Sequence, residues 1–150
     1  MRYPLRTLFM ISLLGLSLSC ASSSAGNSHA ARIELLSVVP PLSEPMAPTA
    51  LVVATLRYSI PDFRPDTFLI SPQFNATTAG ATSSGADEDW QVLTSAAGEA
   101  RVSFPLAEVL QNPSVAKPLR MRFFLHERLG GGRTNAIART EPVDLTVMGR

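Results

Sequence analysis

Ser114-Val115-Ala116-Lys117 places a hydroxyl three residues before the only lysine in the chain. On a helix those two positions share a face, and the amine can take the proton of a serine nucleophile. Pro113 precedes the string and Pro118 follows it. A residue before proline is pushed out of the helical region, so the string reads as a loop. His29 and His126 are the only histidines: the first lies in a small-residue stretch, the second near a strand end beside Glu127 and Arg128. One structured histidine and the lone Cys20 cannot build a zinc site. Asp87-Glu88-Asp89 and the pair Asp62 and Asp66 form acidic loops without the ligand spacing of a calcium loop. Gly130-Gly131-Gly132 precedes neither a helix start nor a lysine, so it is a hairpin turn and not a phosphate cradle. These residues describe a non-enzymatic chain that needs no cofactor and no metal.

One group of residues points elsewhere. Leu119 to Glu127 alternates, with Leu119, Met121, Phe123 and Leu125 on the apolar side. The opposite side carries Arg120, Arg122, Phe124 and His126. An aromatic ring among arginines on a solvated face is a mixture enriched at protein interfaces. This is the candidate interaction face.

The elements that must position that face come from a chain of 150 residues, 45% hydrophobic, with 12 prolines. That is one domain with enough apolar residues for one core. It is too apolar and too weakly charged for a disordered chain. The formal charge of +1 argues against nucleic acid as a partner.

Residues 1–19 stand apart from the fold. Arg2 and Arg6 form a basic start, and an uncharged apolar run from Leu8 to Leu18 follows. Eleven residues suit a signal peptide and fall short of the roughly 20 of a membrane-spanning helix. The run ends at Leu16-Ser17-Leu18-Ser19-Cys20-Ala21. This resembles a bacterial lipobox, with small Ser19 before the cysteine and Leu16 one place early for the family's leucine. The resemblance implies cleavage before Cys20, a lipid on Cys20, and a membrane partner through that anchor. Ala21 in place of aspartate then implies the periplasm-facing outer membrane of a bacterial cell envelope. Ordinary cleavage at Ser19-Cys20-Ala21 or Ser23-Ser24-Ala25 is the alternative, and gives a soluble periplasmic or secreted protein. Removal of residues 1–19 takes two of the 13 basic residues against 12 acidic ones, leaving a formal charge of −1. Residues 20–31 hold no large apolar side chain and read as a flexible tether. Past Cys20 there is no cysteine, so the domain of residues 32–150 rests on its core alone.

Within that domain, strand signals recur. Runs at 32–39, 50–60, 67–74, 90–94, 99–106, 119–127 and 134–140 show alternation or β-branched enrichment. The last resumes after Pro142, and residues 106–112 allow one helical turn. Residues 75–89 read as a long loop. Leu56, Val102, Phe104, Met121, Phe123 and Leu125 are the expected core. About seven strands without a long helix predict an all-β antiparallel sandwich, with a small β-barrel as the alternative. The Pro-rich break after the first strand and the Gly-tipped last hairpin resemble immunoglobulin-like or fibronectin-type-III-like domains of exported bacterial proteins. The functional expectation is an exported envelope or interaction module, with a protein partner in the envelope. The alternative is an accessory or inhibitory subunit of an exported assembly.

Overall fold

Alternation along Leu51–Ser59 fixes the first sheet, in a computed structural model that describes residues 30–84 and 90–149. Strands β1 (Arg32–Val39), β2 (Leu51–Ser59) and β3 (Phe68–Asn75) open the chain. Two short strands, β4 (Thr82–Ser83) and β5 (Gln91–Val92), precede β6 (Ala97–Pro105). A six-residue helix α1 (Leu106–Gln111) leads to β7 (Leu119–Gly130), β8 (Arg133–Arg139) and β9 (Val143–Leu145). One sheet runs β1-β2-β6, and the other runs β4-β3-β7-β8 with β5 on β3 and β9 on β7. All these strand pairs are antiparallel.

The core forms where the two apolar faces meet. Val52, Ala54, Leu56 and Tyr58 bury the even side of β2, as period two requires, and Ile60 just past its end continues the row. Ala100, Val102 and Phe104 do the same from β6, continued by Leu106 at the start of α1, and Leu119, Met121, Phe123 and Leu125 from β7. Phe74 and Phe104 cross between the sheets edge to face, with centroids 5.4 Å apart. Such a pair adds about 0.5–1.5 kcal/mol to the burial of its area. In β1 the apolar phase shifts from Leu35 to Val38, and a bulge between Leu35 and Ser37 absorbs the slip.

Pro72 and Thr140 show how the second sheet tolerates its irregular residues. Pro72 is buried opposite Phe123 in β7. The Phe123 backbone turns the other way: its N–H donates to Thr140 Oγ1 at 3.0 Å and its carbonyl accepts from the Thr140 N–H at 2.9 Å. The proline nitrogen therefore faces away from β7, into the gap between β5 at Leu69–Ile70 and β4 at Phe74–Asn75. No ladder bond is lost there.

The sheets do not close on each other, so the β-barrel alternative is wrong and the sandwich stands. Nine strands occur among the described residues, two beyond the expected seven. β4 lies inside the stretch read as loop, because Thr82-Ser83 pairs only with Asn75 and Phe74 and needs no apolar pattern. β9 is separate because Pro142 and the buried Thr140 interrupt the last run. The expected signal peptide, Cys20 and most of the tether lie outside the described residues, as do His29 and Asp87 to Asp89.

Candidate functional site

The outer face of the second sheet gathers the chemistry. Because Met121, Phe123 and Leu125 point into the core, Arg120, Arg122, Phe124 and His126 turn to the opposite side. Phe124 and His126 stack, with centroids 5.8 Å apart and 24° between planes. Both rings are half-buried, and so is Arg122. Opposite them on β3 stand Ser71 and Gln73. Ser71 Oγ lies 3.0 Å from His126 Nε2, and Gln73 Nε2 donates to Ser71 Oγ at 3.5 Å. His126 Nδ1 and Arg122 Nε are buried without a partner among the described residues. Burial lowers the His126 pKa below its ordinary value of 6.5, so the imidazole is neutral at pH 7.

The face is wider than the sequence alone suggests. Leu69 sits opposite both His126 and Val92, only 1% exposed, and stands outside the main core cluster. Arg128 holds its guanidinium 5.5 Å from the ring centre of Trp90. Trp90 is 52% exposed. A desolvated leucine, two stacked rings and an arginine-capped tryptophan thus share one sheet surface. Arg139, opposite Phe124 on β8, adds an exposed cation. Neither Trp90 nor Leu69 is evident as a site residue from spacing. Leu69 lies on β3 and Trp90 just before β5, and only the pairing of those strands brings them together.

The four expected site residues differ in state. Arg120 donates twice to Asp144 across the β7–β9 pair, at 2.7 and 3.3 Å. That hydrogen bond raises the arginine pKa and holds the aspartate below its usual range. Arg120 is therefore held in an exposed ion pair, whereas Arg122 has no ion-pair partner among the described residues. His126 is half-buried, flanked by Ser71 and Phe124.

The other candidates remain scattered. Ser114 is exposed in the loop after α1, and Val115 beside it bridges to Ala76, so the serine and lysine share no helical face. Among the described residues no group of three His, Cys, Asp or Glu is placed to hold a metal ion. A cleft of about 940 Å³ opens where the chain enters the sandwich, lined by Arg32, Glu34, Arg57, Tyr58 and Arg139 among others. Its Tyr58 hydroxyl is 2.9 Å from Ser95 Oγ, a contact that fixes the β5–β6 turn. No family model matches the chain, and no curated protein matches it.

Proposed function

We propose that this chain is an exported, lipid-anchored interaction module of a bacterial cell envelope, without enzymatic activity. The strand order supports an immunoglobulin-like class for the sandwich: the first, second and sixth strands share one sheet, and the third, seventh and eighth share the other. The basic start, the apolar run and Ser19-Cys20 support export and lipid attachment at Cys20. Ala21 supports the outer membrane, facing the periplasm.

The observation that carries the interaction reading is the outer face of β3 and β7. There Phe124, His126, Trp90 and Arg128 set aromatic area beside guanidinium groups, on a surface outside the core. Rigid aromatics with arginine are the residues that supply most binding energy in protein interfaces. Arg122, Arg128 and Arg139 bias the partner toward acidic protein surfaces, and their steering weakens with salt.

Two experiments test the two halves. Intact mass of the protein from its native envelope gives a chain beginning at Cys20 with acyl chains attached. A lipid-free chain beginning at Ser22 or Gly26 refutes the anchor and leaves export standing. Partner recovery from envelope extract, at low and high salt, should be strong for the wild type and lost for Phe124→Ser. Equal recovery by a folded Phe124→Ser refutes the face.

A further inference from the structure

The sheet β1-β2-β6 ends on a strand whose second edge meets no other strand among the described residues. Its register fixes which backbone groups are free. Ile60 N–H donates to the Ala96 carbonyl at 2.7 Å, and Leu106 N–H donates to the Ala50 carbonyl at 2.9 Å. No shift interrupts the pairing between them. The even residues of β6 therefore bond to β2, and the odd ones turn N–H and C=O outward. Ala97 carbonyl is taken by the Ser95 hydroxyl at 3.0 Å, and Pro105 has no N–H. The open stretch is thus bounded, and it comprises Glu99, Arg101 and Ser103, all exposed.

Charge runs across this sheet in a row. Arg57 lies 3.7 Å from Glu34 on β1 and 3.4 Å from Glu99 on β6. The row reads negative, positive, negative, and stops at the edge on a carboxylate. Two residues along the same edge, Arg101 has no ion-pair partner among the described residues.

We infer that the β6 edge is a seam between two copies of this chain, paired antiparallel with Ala100 opposite Ala100. Outward groups meet only when odd residues face odd residues. Centring the pair on Glu99 or on Arg101 sets like charges opposite, which destabilises a sheet. Centring it on Ala100 sets Glu99 opposite the partner's Arg101 and Arg101 opposite the partner's Glu99. The row then continues negative, positive, negative, positive through the seam, twice. Two three-stranded sheets become one continuous sheet about a two-fold axis normal to it, the closed symmetry of an isologous dimer. Open edges template further pairing, and self-pairing removes this one. The axis leaves both β3-β7-β8 outer faces on the same side, so the dimer presents two Phe124 surfaces in parallel. The seam uses none of the residues of that face, so it stands whether or not the face binds a partner.

Charge reversal tests the seam by native mass spectrometry and sedimentation of the purified protein, with thermal melts to verify folding. The wild type is expected to be a dimer. Glu99→Arg and Arg101→Glu each set like charges opposite and should raise the dimer dissociation constant about tenfold or more. Mixing the two variants should restore a dimer of mixed composition, because each offers two charges of one sign to the other's two of the opposite sign. Ser103→Pro removes an outward N–H without touching β2 and should also dissociate the dimer. A wild type that stays monomeric at about 100 µM, so that the edge charges only guard against pairing, overturns the inference. So does a dimer indifferent to the reversals, or a mixture that forms no mixed dimer.

Discussion

Replacing Thr140 by valine keeps the volume of the side chain and removes one oxygen. That oxygen is the acceptor for the Phe123 N–H at 3.0 Å, and both residues are buried. The β7–β8 ladder ends at Arg139, so no carbonyl stands in its place. The variant loses a hydrogen bond and leaves a buried donor unsatisfied, a change of about 1–3 kcal/mol. For a domain near 120 residues this lowers the melting temperature by roughly 3–6 °C per kcal/mol, interpolating between the smaller and larger domain classes. Thr140→Ser keeps the acceptor and loses only a methyl group, at about 1 kcal/mol. Thermal and urea unfolding of the three proteins compare them directly. Valine matching threonine, or serine falling as far as valine, would refute the bond as the reason a polar residue is buried there.

Three further outcomes follow from adjacent features. Phe123 is fully buried and Phe124 half-buried on the opposite side. Phe123→Ala should therefore lose about 3–5 kcal/mol, and Phe124→Ser no more than about 1 kcal/mol; equal losses in urea melts would misplace the two faces. His126 titrates below its ordinary 6.5 because it is desolvated, so the unfolded chain binds its proton first as pH falls. Stability should be complete above about pH 6.5 and decline below it, a slope that His126→Gln removes, read from melts between pH 5 and 8. The Arg120–Asp144 pair is exposed to solvent, so Asp144→Asn should leave the melting temperature unchanged within scatter at 0.15 M salt.

Strands with one buried face are the part of this fold most legible in the sequence. Val52 to Ile60, Ala100 to Leu106 and Leu119 to Leu125 state their inward sides by alternation, and each side is buried. Pro72 marks a position that cannot pair on both sides, and β3 has second-side partners only at Leu69–Ile70 and Phe74–Asn75. β4 was not legible, because two paired polar residues leave no pattern. Leu69 was hidden for a different reason. It lies in Phe68-Leu69-Ile70, where both faces are apolar; alternation with Phe68, Ile70 and Phe74 turns it outward, and the pairing to Val92 and His126 shows what it meets there. The Phe124 side of β7 was readable from one strand. Trp90 and Arg128 join it through geometry that no single run encodes.

The most direct test of the interaction reading is site-specific photo-crosslinking in the native cell. A photoreactive amino acid in place of Phe124 samples what lies on the outer face, and the same residue in place of Thr55 samples the outer face of the opposite sheet. An occupied outer face gives one discrete adduct from position 124, lost when Arg122 is also changed to glutamate, and none from position 55. No adduct at 124, or the same adducts from both positions, would contradict it.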